Sequence, residues 1–399
     1  MKNLIYGEAV KDWRGSGELQ LGGGAFPCVF ELVQAGSGRI ALTCDVEGLA
    51  GFVAEDASLI GRVDGGQDAL VSRCFVRSHQ LKIEGDVQRT ALTMLPREYE
   101  VRSGGGTSAA FRYGLTNVRL IGNDAYRLSD GSGGRQARFP LDGFDLVIRE
   151  VKGSWELGNE AKATRGVAVT AHALVSATSE DRERLEETLR RVCLLLTLAL
   201  GHRVEWIYRE ALDEQGSVLS TNGRNAVTKP WGGLQLIPDE AVCRFVETAY
   251  SGLVAALETW GLEKGILSYN DAKLEGDYLE FRALKMAVVM EYLKGRYLGG
   301  RRKVRFREAA AGMCGSLSVP LSEPDLGLLV KVRNSLVHEA TFWKGKEAPS
   351  QFEQYVFFMT VIGRVLLATL RYQGEYYDWR GASDGNGPRK ALLDSRAAS

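Results

Sequence analysis

The chain has 399 residues, enough for two or three domains, and its 45% hydrophobic and 25% charged content is that of a soluble globular protein. Its 50 Lys and Arg residues equal its 50 Asp and Glu residues, which excludes a general electrostatic attraction to nucleic acid. The six cysteines are scattered, without C-x-x-C spacing or a histidine at ligand spacing, so the sequence predicts neither a metal site nor a disulfide framework.

The sequence also gives expectations about location. No segment approaches the ~18 consecutive apolar residues of a membrane-spanning helix, and the N-terminal segment MKNLIYGEAVKDWRG has no apolar signal core. We therefore expect a cytoplasmic protein without membrane contact. No motif in the sequence predicts a cofactor.

Residues 1–176 predict a β-rich domain, either a sandwich or an open barrel. Short apolar runs such as CVFELV, RIALTC and FDLVIREV are separated by glycine-rich turns, and the alternation in HQLKI is typical of a half-buried strand. No G-x-G-x-x-G motif follows a strand and opens a helix, so the sequence gives little support to a dinucleotide site.

Residues 177–237 predict a helical connecting region. The segment SEDRERLEETLRRVCLLLTLAL begins near residue 179 with acidic residues in its first turn, as a helix N-terminus does, and its second half is apolar on all sides. We expect GHRVEWIYREA to return as a strand and DEQGSVLSTNGRN to be a loop.

Residues 238–380 predict an all-α domain, which makes the chain an α+β protein. Apolar residues at helical spacing predict four helices, at about 238–260, 277–298, 322–340 and 350–373. The last segment, 381–399, lacks the apolar content to fold by itself and is expected to be disordered.

The helix at 322–340 carries the most unusual set of side chains. Ser322 and Asp325 resemble a capping box at its start. At about 100° per residue, one stripe is apolar and also contains Arg333; its apolar members are Leu326, Leu329, Val330, Leu336 and Val337. A guanidinium on such a stripe is costly unless it is paired or faces a ligand or another chain. Asn334 and His338, four residues apart, share the adjoining polar face.

The segment RNSLVH resembles the R-polar-x3-H motif of the HEPN superfamily, whose members are compact helical bundles and often ribonucleases. Arg333, Asn334 and His338 match the three defining positions, and the helix DYLEFRALKMAVVMEYLKGRYL resembles the early HEPN core helix, with Glu291 at its acidic position. The resemblance covers about residues 240–378. The layout of the chain is similar to that of ApeA-like HEPN proteins of anti-phage defence.

The resemblance implies a metal-independent endoribonuclease without a cofactor, in which the RNA 2′-OH attacks the adjacent phosphate. His338 would transfer a proton, Arg333 would neutralise the developing charge, and Asn334 would hold either the imidazole or the phosphate. We expect Glu291 to pair with Arg333 and orient it; the alternative is a solvent-facing carboxylate. By spacing alone, an Arg and a His on one helix are more often structural than catalytic.

A basic segment lies between two of the predicted helices, at residues 295–309. Its cationic residues are Arg296, Arg301, Arg302, Lys303, Arg305 and Arg307, interleaved with Tyr297 and Phe306. This pattern suits a phosphate backbone with a stacked base. The alternative is a solvated loop between helices, in which Val304 and Phe306 pack inward.

The resemblance also implies partners. HEPN nucleases place two motif copies across a dimer cleft, so we expect a homodimer that cleaves RNA, with tRNA as a candidate substrate. The N-terminal domain would sense a phage-derived trigger or restrain the nuclease, and cleavage would serve abortive infection. The alternative function is a non-catalytic HEPN module that binds RNA or only dimerises.

Overall fold

The computed structural model describes residues 9–49, 56–84, 87–119, 124–127, 133–164, 166–225, 233–274, 277–300, 304–380 and 389–392. The chain is an α+β protein, as predicted: a large antiparallel sheet comes from the N-terminal half, and most helices lie in the C-terminal half.

The first six strands form a closed ring. They are β1 (Ala9–Leu21), β2 (Gly24–Ala35), β3 (Ile40–Glu47), β4 (Ala57–Val63), β5 (Asp68–Glu84) and β6 (Val87–Arg102). They pair in the order β3-β2-β1-β4-β5-β6, and β3 pairs again with β6, which closes the ring. Alternate side chains point inward and form one buried apolar cluster, which includes Leu32, Leu42 and Val71.

The second half of β6 extends beyond the ring and pairs with β13, which continues the sheet in the order β6-β13-β12-β7-β11-β10-β9-β8. These strands are β7 (Ala110–Thr116), β8 (Asp124–Arg127), β9 (Gly133–Leu141), β10 (Phe144–Glu150), β11 (Val169–Ser176), β12 (Trp206–Leu212) and β13 (Val218–Arg224). The returning strand predicted after residue 200 is confirmed as β12. The prediction of a loop after β12 is wrong in part, because residues 218–224 form β13 and pair with the edge of β6.

The described residues contain eight α-helices. They are α1 (Ser154–Thr164), α2 (Arg182–Leu200), α3 (Val242–Ala256), α4 (Leu262–Asp271), α5 (Leu279–Leu298), α6 (Phe306–Ser316), α7 (Glu323–Glu339) and α8 (Gln351–Thr369). Helices α2, α3, α5, α7 and α8 match the predicted ones, whereas α1, α4 and α6 were not predicted.

The chain divides into two compact units. The sheet unit contains the described residues up to 188 together with 204–225, and the helical unit contains 189–203 and the described residues from 233 onward. Residues 177–237 were predicted to form a separate connecting region, but they belong to both units, since β12 and β13 pair within the sheet.

Helix α8 is the core of the helical unit. It is long and apolar enough to cross a membrane by length and composition, but most of its residues are buried within the protein, as in the core helix of a soluble bundle. Ser350 caps its start, because the Ser350 side chain and the Glu353 side chain each accept a hydrogen bond from the other residue's backbone N–H.

A short strand follows α8. Strand β14 (Glu375–Asp378) pairs with β15 (Arg389–Leu392), which lies within the segment predicted to be disordered. The prediction is wrong for these four residues, because β14 offers them a partner edge. Residues 381–388 and 393–399 lie outside the described residues.

A buried polar network crosses the sheet unit. The Glu210 carboxylate on β12 is only 2% exposed and accepts bonds from Lys11 on β1 and Arg112 on β7. Beside it, the Tyr208 hydroxyl lies 2.8 Å from the Nε2 atom of His172 on β11. Gly114 leaves room for the Tyr208 ring, since a Cβ atom there would lie 2.4 Å from it.

This network makes stability depend on pH. Burial, assisted by the positive charge of Arg112, lowers the pKa of His172 to about 4. The negative charge of Glu210 raises the pKa of His172 and the positive charge of Lys11 lowers it. Both effects are smaller than that of burial. The ordinary histidine pKa is about 6.5, so the unfolded chain takes up the proton first as the pH falls.

We expect the His172 contribution to stability to be full above about pH 6.5 and to be lost as the pH falls toward about 4. Between about pH 7.5 and pH 5 the loss is about 2 kcal/mol. Urea unfolding at both values measures it, and His172→Asn should remove this part of the pH dependence. An unchanged pH dependence in the variant would contradict the assignment.

Candidate functional site

Helix α7 is fixed at both ends. The Ser322 side chain accepts a hydrogen bond of 3.2 Å from the Asp325 backbone N–H, and a proline occupies the first turn. The helix ends at Ala340, whose φ of 53° is left-handed and turns the chain away immediately after the last turn. His338 lies in that last turn.

The buried face of α7 differs slightly from the predicted stripe. Its buried residues are Leu326, Leu329, Val332, Ser335 and Leu336. The prediction is wrong for Val337, which is 40% exposed, and Val330 is half-buried. The stripe is therefore centred between Val332 and Leu336, and Arg333 lies at its edge rather than within it.

The predicted ion pair between Arg333 and Glu291 is confirmed. The Nε and Nη2 atoms of Arg333 lie 2.8 and 2.7 Å from the same carboxylate oxygen, Oε1, of Glu291 on α5. The two side chains are 18% and 28% exposed, so solvent screens the pair only in part. The contact joins α7 to α5 and fixes the plane of the guanidinium.

A second cation and an aromatic ring complete this cluster. Lys294, one turn further along α5, bonds to the other carboxylate oxygen of Glu291. The Phe306 ring at the start of α6 lies 5.1 Å from the Arg333 guanidinium carbon and 5.4 Å from the Lys294 ammonium. Two cations thus share one carboxylate, which leaves the cluster with a net positive charge.

Asn334 extends the cluster toward solvent. Its Oδ1 atom accepts a hydrogen bond of 3.0 Å from Nη1 of Arg333, so its exposed amide NH₂ is directed to other acceptors. These contacts use three of the five N–H groups of Arg333. Within the described part of the chain, the other two have no acceptor, and they are available to an anion.

His338 is exposed and forms no hydrogen bond with any residue that the structure describes. Asn334 lies one turn before it but bonds to Arg333 instead. The loop that follows His338 is held by the buried Gln354 side chain, which bonds to both backbone groups of Trp343 and to the carbonyl of Pro349. Among the residues that the structure describes, no side chain positions the imidazole, which is placed by its helix alone.

The basic residues predicted to bind RNA can be located only in part. Arg296 donates to the backbone carbonyls of Glu258 and Thr259, after α3. Arg305 is exposed just before α6, and Arg307 forms an ion pair with Glu323. The other three, Arg301, Arg302 and Lys303, lie outside the described residues, and RNA binding by this segment stays a prediction.

Sequence reasoning missed Lys294, and it assigned Phe306 to the basic segment without predicting its contact with Arg333. The spacing of Glu291 and Lys294, three residues apart on one helix, is the one signal that was present. Among the residues that the structure describes, no cluster of three or more His, Cys, Asp or Glu side chains could hold a metal ion.

Comparison of the chain with protein-family models, curated proteins and solved structures finds no match. The resemblance to the HEPN superfamily therefore depends on the motif residues themselves.

The Glu291 carboxylate should stabilise the helical unit. We expect Glu291→Gln to lower the free energy of unfolding by about 1–3 kcal/mol, because two partly buried cations lose their counter-charge. Urea unfolding at neutral pH measures this change. As a control, Lys285→Gln removes an exposed ion pair between α5 and Asp277 and should cost less than about 0.5 kcal/mol. Equal effects of the two substitutions would contradict the proposed importance of Glu291.

Proposed function

We propose that this protein is an endoribonuclease of the HEPN type, with Arg333, Asn334 and His338 as its catalytic residues. The observation that carries the proposal is the state of Arg333: Glu291 fixes its guanidinium while two of its N–H groups stay open in the described structure, and Asn334 and His338 on the same helix are exposed. A purely structural arginine would require only the Glu291 contact.

The chemistry follows from these groups. The RNA 2′-OH loses its proton and its oxygen attacks the adjacent phosphorus; the bond to the 5′-oxygen breaks, and that oxygen takes a proton. The products are a 2′,3′-cyclic phosphate and a 5′-OH end. Arg333 and the Asn334 amide donate hydrogen bonds to the phosphorane oxygens as negative charge develops on them. The reaction can proceed without a metal ion.

Proton transfer is assigned to His338, because imidazole gains and loses a proton near neutral pH. The reaction needs one proton removed and one delivered, and each chain supplies one such histidine at the site. A second copy of the chain that faces the first would supply the other, so we propose that the active form is a homodimer.

Apolar residues beside the site support this dimer. Phe281 and Val288 lie seven residues apart on the same face of α5, and each is 59% exposed. Val288 lies one turn before Glu291, and the exposed Val337 lies one turn after Arg333. Val288 and Val337 thus lie one turn from the ion pair, Phe281 extends the apolar face along α5, and a second copy would cover all three.

The sheet unit is the proposed site of regulation. It contains a cavity of about 540 Å³, lined in part by Arg182, Arg209 and Glu98. Arg209 is nearly buried and forms an ion pair with Glu186, which joins β12 to the start of α2. We propose that a phage-derived trigger acts on this unit, in the cytoplasm, and that the RNA cleaved, tRNA among the candidates, serves abortive infection.

Cleavage of purified tRNA and total cellular RNA in EDTA tests the catalytic residues. We expect wild-type protein to give cyclic-phosphate ends, and His338→Ala and Arg333→Ala to lower the rate by roughly 100-fold or more. As a control, His79→Ala changes an exposed histidine of the sheet unit and should cleave like wild type.

The outcomes separate the candidate functions. Equal cleavage by wild type and both site variants would place the active centre elsewhere. If wild-type protein binds RNA but does not cleave it, with or without phage extract as a source of the trigger, the non-catalytic RNA-binding module is favoured instead. Circular dichroism of each variant shows whether the helical unit is folded.

The dimer is tested by placing a charge on the exposed apolar face. We expect Val288→Glu and Phe281→Glu to convert a dimer to a monomer in analytical ultracentrifugation and to lower cleavage with it. The control Val254→Glu changes a valine that is 43% exposed on α3 and should leave the dimer intact. A wild-type monomer with full activity would contradict the proposal.

A further inference from the structure

The exposed face of α7 carries a row of polar side chains that continues the candidate site toward the start of the helix. Lys331, Asn334 and His338 are all exposed. At about 100° per residue, the three side chains lie within about 60° of one another around the helix axis. Lys331 therefore shares one helix face with two of the proposed catalytic residues.

The ammonium group of Lys331 is held in place by an aromatic ring. Its Nζ atom lies 4.4 Å from the centre of the Trp343 ring, in the loop that follows α7. Lys331 forms no ion pair with any residue that the structure describes. Within the described part of the chain, its positive charge is thus fixed in position without a neutralising carboxylate, and its N–H groups are available to an anion.

The Trp343 ring is itself held by the interior of the helical unit. Gln354 on α8 is only 1% exposed, and its side chain bonds to the backbone N–H and the backbone carbonyl of Trp343 at 3.1 and 3.0 Å. Gly345 leaves space for the ring, since a Cβ atom on Gly345 would lie 2.6 Å from it. A buried amide and a glycine thus hold Trp343 beside α7, and Trp343 holds Lys331.

The loop after α7 adds further positive charge to this face. Lys344 and Lys346, next to Trp343 in the chain, are exposed and form no ion pair with any described residue. Two exposed carboxylates, Glu339 and Glu347, lie in the same stretch, so the three lysines leave a net positive charge. The C-terminal end of a helix carries a partial negative charge, which repels a phosphate. A phosphate near the end of α7 therefore needs cations such as these.

We propose that the exposed face of α7 and the loop that follows it form the surface that binds the RNA backbone, and that Lys331 binds a phosphate next to the one that is cleaved. Lys344 and Lys346 extend this surface beyond His338. Proteins bind single-stranded nucleic acid through cationic groups that follow its backbone. The inference deepens the nuclease function proposed above and rests on it for the identity of the ligand as RNA.

Binding of an RNA that cannot be cleaved tests this surface separately from catalysis. The probe is a short 2′-O-methyl oligoribonucleotide of mixed sequence, which lacks the 2′-OH that attacks the phosphate. Fluorescence anisotropy measures its affinity for the full-length protein over a range of salt concentrations. We expect Lys331→Gln to lower the affinity roughly fivefold at about 0.1 M salt and to reduce the slope of log affinity against log salt by about 0.7, the value for one phosphate contact on a single strand.

Three further variants separate this role from general electrostatics. The matched control Lys264→Gln removes an exposed lysine of α4 whose Nζ atom also lies over an aromatic ring, 5.3 Å from the centre of Tyr292, and should leave the salt slope unchanged. Lys331→Arg keeps both the charge and the contact with the ring, so it should bind like wild type. Trp343→Leu keeps the charge but releases the Lys331 side chain, so it should weaken binding. Circular dichroism shows whether each variant is folded.

The possible results are distinct. No binding of the probe by wild type, or equal effects of Lys331→Gln and Lys264→Gln, would overturn the proposed surface while leaving the nuclease proposal to its own assay. A loss confined to Lys331→Gln would support the surface even if unmodified RNA is never cleaved; in that case the catalytic proposal fails and RNA binding stands. If RNA is cleaved, Lys331→Gln should raise KM and leave kcat unchanged, because the contact is made equally before and during the reaction. An unchanged KM would contradict the proposal.

Discussion

The candidate site depends on one half-buried carboxylate, that of Glu291. It binds Arg333 from α7 through one oxygen and Lys294 from its own helix through the other, and both cations also face the Phe306 ring of α6. A guanidinium at the edge of a packed helix face is costly without a counter-charge. Glu291 therefore allows Arg333 to occupy this position, and the packing of three helices and the chemistry of the site are coupled.

Much of the fold could be predicted from the sequence, for a physical reason that also explains the errors. Helices α5, α7 and α8 have apolar residues at helical spacing, which reflects the face that each one buries. Helix α6 reads FREAAAGMCGS, in which small residues on several sides conceal the buried face. Strand β13 reads VLSTNGR, which is polar and contains glycine; it becomes a strand because β6 extends past the ring and offers an open edge.

The site shows the same limit at the level of single residues. The pair of Arg333 and Glu291 could be predicted because a guanidinium on an apolar stripe needs a counter-charge, and the motif resemblance pointed to the carboxylate of Glu291. In VKVRNSLV, valines on both sides of the stripe fit a period of 3.6, so the period did not distinguish Val332, which is buried, from Val337, which is exposed. The contact of Phe306 with both cations depends on how α6 crosses α5, which no local pattern records.

A single chain presents a site that is half of what the proposed reaction needs. Arg333 and Asn334 can stabilise negative charge, but His338 alone must serve both proton transfers, and in the described structure no side chain holds its imidazole. On α5, Phe281 and Val288 expose apolar surface, and the exposure of apolar surface to water is unfavourable in free energy. The proposed homodimer would account for both facts, because a second copy would cover the apolar face and would bring its own histidine to the same phosphate. The exposure of that face in a single chain and the lack of a second histidine at its site would then have a common cause.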